Sequence, residues 1–304
     1  MSRAGGPGAR CLVIVNPAAG GGRTELRWRA LRDDLHRLGF AFEWTATSAR
    51  GAATDLARDA VAAGVDLVVA VGGDGTLNEV VNGAVVEGGP PVTVGAVLTG
   101  RGRDAARNFG LAADPRRAVR RLVEGADAAF DLVRAGWPDG RRRWAVSAAG
   151  AGFDAAVAAR AAARGGSGTL PYLAAVLAAL STHAPVAAEI DADGARAWSG
   201  PLSAAVVANG AHYGGGMKIA PAADPADGRL DLVVLGNFGR LELLRWLPTV
   251  YRGGHLRNPN VATRTARQVR IDAARPLPVH VDGEPAPATP VTLTLVPGAL
   301  RLRR

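Results

Sequence analysis

Val71-Gly-Gly-Asp-Gly-Thr-Leu-Asn-Glu-Val-Val-Asn-Gly83 decides the reading of this chain. Four apolar residues, 67–70, lead into it and read as a buried parallel strand. Leu77, Val80, Val81 and Ala84 then recur at helical spacing. The stretch is therefore a strand, a glycine turn and a helix N-terminus. Glycines let the backbone approach a ligand closely, and the free N–H groups of a first helical turn favour phosphate. A carboxylate does not help to bind bare phosphate, so Asp74 points to magnesium or to direct hydrogen bonding with a nucleotide.

Working outward, the first 130 residues alternate strand and helix. Strands are expected at residues 11–15, 41–45, 66–71 and 92–98, with helices at 24–38 and 52–63 and another after the turn at 99–104. Such alternation implies an α/β domain with a parallel sheet, whose ligands lie beyond the carboxyl ends of the strands. After about Asp131 the texture changes to short strand-like runs at 144–148, 187–191, 204–208, 230–235, 269–272, 279–281 and 291–296. Helical stretches at 154–163, 170–181 and 241–251 interrupt them. This predicts a mostly antiparallel, β-sandwich-like C-terminal domain. The expected division is 1–131 for the nucleotide-binding domain and 132–296 for the β-rich domain, with residues 297–304 a candidate to return to the first.

The chain has 304 residues, 48% of them apolar, so a substantial core is expected and wholesale disorder is not. Formal net charge is 36 − 27 = +9, and nearly all of the positive charge is arginine, Lys218 being the only lysine. Arginine bias of this kind tracks genome composition, and its functional weight is discounted accordingly. No aromatic-rich basic patch or finger spacing supports nucleic acid. Cys11 is the only cysteine, which excludes an internal disulfide and fits a reducing compartment. No signal peptide and no transmembrane segment is expected, since no apolar run approaches about 20 residues.

Three further motifs admit two readings each. Asn16-Pro-Ala-Ala-Gly20 ends the first strand as either a tight turn or half of a nucleotide cradle. Asp282-Gly-Glu284 follows a strand and is either a hairpin turn or a base with its positioning partner. Asp224, Asp227 and Asp231 within eight residues suit a hard cation or a polar turn.

Taken together, these motifs resemble the diacylglycerol kinase catalytic domain of the soluble bacterial lipid kinases, a domain shared with sphingosine kinases. Gly72-Gly-Asp-Gly-Thr76 with Asn78-Glu79 and Asn82-Gly83 carries the resemblance. Asn16–Gly20, Ser147–Ala155, Asn209 with Gly214–Met217 and Ala220-Pro221, Asp227–Asp231 and Val281–Glu284 agree in order and spacing. The resemblance implies an active site between the two domains, with ATP and magnesium as cofactors. ATP would be held by Asn16, Thr47, Gly72, Gly73, Asp74, Gly75, Thr76, Leu77, Asn78, Glu79, Arg101 and Asp104. Glu284 would take the proton from the lipid hydroxyl and Asp282 would orient it. Asp227 would give its side chain to a structural magnesium ion, and Asp224 and Arg229 their carbonyls. The implied activity is transfer of the ATP γ-phosphate to a lipid hydroxyl, foremost that of diacylglycerol. The implied location is cytoplasmic, at the inner face of the membrane, with a homodimer left open.

One segment departs from that pattern. The third loop reads Leu98-Thr-Gly-Arg-Gly-Arg-Asp104 where the family has a Pro-x-Gly-Thr-Gly-Asn-Asp-like sequence. Arg101 and Arg103 either bind phosphate or obstruct the nucleotide. A non-catalytic nucleotide or lipid sensor, and a kinase of a soluble alcohol such as NAD, are the rival readings. Residues 170–180, with Tyr172 and Leu173, are either a buried helix or a lip touching the bilayer.

Overall fold

The computed structural model describes residues 10–89, 92–100, 102–164 and 169–304. Two compact units result, Met1–Asp131 with Pro297–Arg304, and Leu132–Val296.

In the first unit the apolar runs at 11–15, 66–71 and 92–98 become buried strands and the amphipathic runs helices, while the strand expected at 41–45 forms at Glu43–Ala46 and is mostly exposed. The order is β1 (Cys11–Val15), α1 (Arg23–Arg37), β2 (Glu43–Ala46), α2 (Ala52–Ala62), β3 (Leu67–Gly72), α3 (Asp74–Ala84), β4 (Thr93–Leu98), α4 (Asp104–Phe109) and α5 (Pro115–Glu124). The strands run parallel in the order β2-β1-β3-β4. β3 and β4 are buried throughout, as a sheet covered on both faces demands. Trp28, Leu31 and Leu35 of α1 and Val119 and Leu122 of α5 pack on one face. The Cys11 thiol is pushed up to about 12 by burial, so it stays protonated and acts as core.

The chain leaves this unit along β5 (Asp127–Gly136) and enters the second. There follow β6 (Arg142–Ala145), β7 (Ala148–Gly152), α6 (Phe153–Arg164), α7 (Thr169–Thr182), β8 (Val186–Ala192), β9 (Ala195–Leu202), β10 (Ala204–Ala208) and β11 (Leu230–Leu235). α8 (Arg240–Trp246) runs into two 3-10 turns, Leu247–Arg252 and Gly254–Arg257, so the single helix expected at 241–251 is shorter and tightens at Pro248. β12 (Val261–Ala266), β13 (Gln268–Ala273), β14 (Val279–Val281), β15 (Glu284–Ala286) and β16 (Val291–Arg303) complete the chain.

One layer of the second unit is antiparallel in the order β12-β11-β10-β7-β14-β15. The facing layer carries β16-β13-β8-β9 and β5 with β6. Val133, Leu202, Leu232, Val269, Val279 and Leu293 fill the space between them, which is the predicted sandwich. The strand expected at 144–148 is two strands, because the chain turns at Val146-Ser147. The strand expected at 291–296 extends to Arg303, and residues 301–303 lie parallel beside β4 in the first unit. There the buried Arg303 pairs with Asp127 and donates to Leu122 O at 3.2 Å.

Candidate active site

In the first unit three loops converge at the carboxyl ends of β1, β3 and β4. Asn16 follows β1 and joins two of them. Its N–H donates to Val71 O (2.9 Å), its Nδ2 to Thr76 Oγ1 (3.0 Å), and its Oδ1 accepts from Ala18 N (3.1 Å). Gly72 ends β3 where a methyl group would collide with Thr76. Gly73, extended and with open space where a side chain would lie, precedes the first residue of α3. A helix opening so leaves the N–H groups of Asp74, Gly75 and Thr76 outside its own ladder.

The third loop is locked against the second. Thr99 donates its N–H (2.7 Å) and its hydroxyl (3.2 Å) to Gly72 O, while Thr24 Oγ1 lies 2.6 Å from Thr99 Oγ1. Gly100 passes so close that a Cβ would sit 2.9 Å from Gly73 Cα. A proline at 99 would lack the N–H. Thr24 and Thr99 thus join the site although nothing in their sequence context distinguishes them from ordinary loop-edge hydroxyls.

Asp74 Oδ1 accepts the Ala105 N–H (3.0 Å) at the start of α4, and a Cβ at Gly102 would come within 2.7 Å of its Oδ2. Asp104 is buried and accepts from Arg107 Nη1 (2.9 Å). Both oxygens of Glu79 face α2, accepting from Gly51 N (3.0 Å) and Ala53 N (3.3 Å). That caps α2 and fixes the loop of Thr47, whose own N–H is bonded to Val15 O (2.8 Å). Asn78 is buried and takes the Asn82 Nδ2 (3.2 Å). Leu77 is 1% exposed and gives its N–H to Gly73 O (3.2 Å), so its side chain anchors α3 in the core. Arg101 lies outside the described residues. Arg103 takes a left-handed backbone (φ 54°) and donates from Nε to Gly100 O (3.2 Å).

In the second unit Asp282 and Gly283 are the two central residues of the β14–β15 hairpin, with φ of 49° and 78°. Two positive φ values are what a tight type I′ turn needs, and Asp-Gly supplies them. Glu284 opens β15 opposite Val281. The hairpin and the carboxylate pair are therefore one object.

The Asp282 carboxylate accepts three backbone N–H groups, from Val146 (2.6 Å), Ser147 (2.8 Å) and Ala148 (3.0 Å). Through these bonds it clamps the hairpin that carries Glu284 to the break between β6 and β7. A second clamp was not foreseen. Buried His280 accepts the Gly283 N–H at Nδ1 (3.2 Å) and lies 2.8 Å by Nε2 from Asp154 Oδ2, with Tyr213 stacked on its ring at 5.8 Å. Since Nδ1 accepts, Nε2 carries the proton and donates to Asp154.

The Asp224 loop is built from two side-chain turns: Asp224 Oδ1 accepts from Ala226 N (3.0 Å) and Asp227 Oδ1 from Arg229 N (2.9 Å). Burial, helped by the charge of Asp227, pushes the Asp231 carboxyl above its ordinary value. Gathered negative charge of this kind fits a hard cation. Among the described residues no three His, Cys, Asp or Glu side chains form a metal-holding group, so a cation here would lean on carbonyls.

A cavity of about 60 Å³ opens behind β10 in the same unit. Phe153, Val157, Val176, Leu243 and Trp246 line it, with Asp154 at its edge. The Asp154 Oδ1 is buried without a hydrogen-bond partner among the described residues. α7 and α8 bring Val176 and Leu243 to the cavity and expose Leu173, Leu177, Leu241 and Leu244 on their outer sides. The side chain of Tyr172 lies outside the described residues. No helix among the described residues is long and apolar enough to cross a membrane.

A glycine-rich strand–helix loop in one unit, and an Asp-Gly-Glu hairpin and an apolar cavity in the other, are the features by which a class is sought, and that class is enzymes that phosphorylate an alcohol. The family comparisons name it. The diacylglycerol kinase catalytic domain matches residues 10–135, and the YegS C-terminal NAD kinase beta sandwich-like domain matches residues 147–304. A diacylglycerol kinase of Mycobacterium tuberculosis is 35% identical over 81% of this chain and 79% of its own length. A crystal structure of a diacylglycerol kinase from Bacillus anthracis shares the fold, with a TM-score of 0.72 at 22% identity over 97% of this chain and 96% of that one. An NAD kinase from Archaeoglobus fulgidus, solved with ATP, gives a TM-score of 0.57 at 14% identity over 97% and 93%. The chain belongs to the diacylglycerol kinase and YegS-like lipid kinase family, and it is a phosphotransferase acting on lipid alcohols.

Proposed function

We propose that the chain transfers the γ-phosphate of ATP, with magnesium, to the hydroxyl of an acylglycerol-type lipid, diacylglycerol being the acceptor that its relatives' names supply. The observation that carries the lipid assignment is the apolar cavity with a single carboxylate at its edge. Such a cavity suits a molecule with one polar end and a hydrocarbon body. Ligand pockets usually measure roughly 300–1,000 Å³, so an acyl chain enters this one only as α7 and α8 part. The exposed leucines on both helices support docking at a lipid surface, where that chain is found.

In this reading the N–H groups of Asp74, Gly75 and Thr76 receive phosphate oxygens, and Gly73 leaves room for them. Asn16, Thr24 and Thr99 hold the loop in place. Asp74 steadies α4, Asp104 holds Arg107 on the same helix, and Glu79 acts through α2 on the Thr47 loop. Magnesium at the phosphates would neutralise charge on the transferring group, and the Asp224–Arg229 loop would hold a separate, structural ion. Glu284 accepts the proton of the acceptor hydroxyl as the oxygen–phosphorus bond forms. Asp282 and His280 hold the Glu284 hairpin from two sides, so the base does not wander.

The test is incubation with γ-labelled ATP, magnesium and mixed lipid vesicles, followed by extraction into organic solvent. Label in the lipid fraction that vanishes with Glu284→Gln supports the reading and identifies the lipid. Label absent from wild type, with ATP still bound, overturns it in favour of a sensor.

A further inference from the structure

The apolar cavity has a second polar wall that a simple hydrocarbon chain would leave unsatisfied. His255 sits in the 3-10 turn Gly254–Arg257, is 1% exposed and lines the cavity. Its Nε2 lies 2.9 Å from Ile219 O. A carbonyl only accepts, so Nε2 carries the ring proton and Nδ1 is a bare acceptor. That Nδ1 is buried and has no hydrogen-bond partner among the described residues. Burial also lowers the pKa of the ring, which keeps the acceptor unprotonated at neutral pH.

An unsatisfied buried acceptor is a cost that a matching donor removes. No lining residue donates to it: Asp154 is an acceptor, and neither the indole N–H of Trp246 nor the hydroxyl of Tyr213 makes a hydrogen bond to His255 Nδ1. We propose that His255 selects for an acceptor lipid with a second hydrogen-bond donor, a free hydroxyl or N–H besides the hydroxyl that is phosphorylated. Diacylglycerol has one hydroxyl and no other donor. Glycerol lipids with one chain and two hydroxyls, or amino-alcohol lipids, have both. The inference rests on the lipid-kinase reading for its substrate, but the binding preference it predicts is separable from phosphate transfer.

A matched pair of probes tests it: a hexadecyl glyceryl ether with its middle hydroxyl free, and the same ether with that hydroxyl methylated. Each keeps the terminal hydroxyl. Wild type is expected to favour the free diol by about tenfold in kcat/KM, the range that one unpaired buried partner produces. His255→Phe, shown to be folded by its thermal transition, is expected to treat both alike. Binding without ATP is followed in parallel through the fluorescence of Trp246, with Trp246→Phe identifying the signal. A tenfold binding preference without phosphorylation would defeat the kinase reading and leave this inference standing. Equal use and equal binding of both probes by wild type, or an undiminished preference in folded His255→Phe, overturns it.

Discussion

Single residues carry the chemistry here through what they leave unpaired or over-pair. Glu284 lies on a hairpin held by other groups, so Glu284→Gln should remove phosphate transfer while leaving the thermal transition within a degree or two; label transfer beside a melt checks both. Asp282 is the opposite case. Its carboxylate accepts three backbone N–H groups, and Asp282→Ala would orphan all of them. A loss of about 3 kcal/mol is expected from such charge-assisted bonds, together with lost activity, and denaturant unfolding measures it. His255 and the half-buried His183 set a pH limit. Burial, the largest influence, lowers His255 and also His183, against the raising effect of their carbonyl partners. The unfolded chain therefore binds protons first as pH falls below about 6.5, the ordinary value. Stability that is full above that pH should decline below it, and melting curves between about pH 7 and pH 5 will show the slope, which His255→Phe should reduce.

Elements act at one remove. α2 has no side-chain cap of its own at Gly51, and Glu79 from α3 serves instead. Glu79→Ala should cost about 1 kcal/mol and raise the KM for ATP more than it lowers kcat, because the displaced part is the Thr47 loop and not the base. Initial rates at varied ATP separate the two. α7 presents Leu173 and Leu177 four residues apart, 49% and 52% exposed, while Val176 lines the cavity beneath. Leu177→Glu should weaken turnover on vesicles several-fold and leave turnover of a short-chain, water-dispersed acceptor unchanged. Equal loss on both would show that α7 acts on folding or the cavity and not on the lipid surface.

On the scale of the whole molecule, the C-terminal residues belong to the first unit. Leu300 and Leu302 are buried there, and Arg303 pairs with Asp127, whose carboxyl it pulls below its ordinary value against the effect of burial. Ending the chain at Val296 would expose the edge of β4 and strand a partly buried carboxylate. Several kcal/mol should be lost, and soluble yield with a calorimetric scan will register it. The class of each unit was legible in the chain alone, since period-2 and period-3.6 patterning and glycine turns are local properties. The sequence also located the Asp74 and Glu284 segments, because the turn Asp-Gly demands is written in its own residues. It did not reveal the break at Ser147, the Thr24–Thr99–Gly72 lock or the partnership of Asp154 with His280. Those pairs are separated by up to 126 residues, and only tertiary packing decides which hydrogen-bonding groups from distant segments meet. The unpaired Nδ1 of His255 is the same kind of fact: a lone histidine reads as nothing in sequence, and becomes a selective wall only when folding buries it and gives its other nitrogen to Ile219.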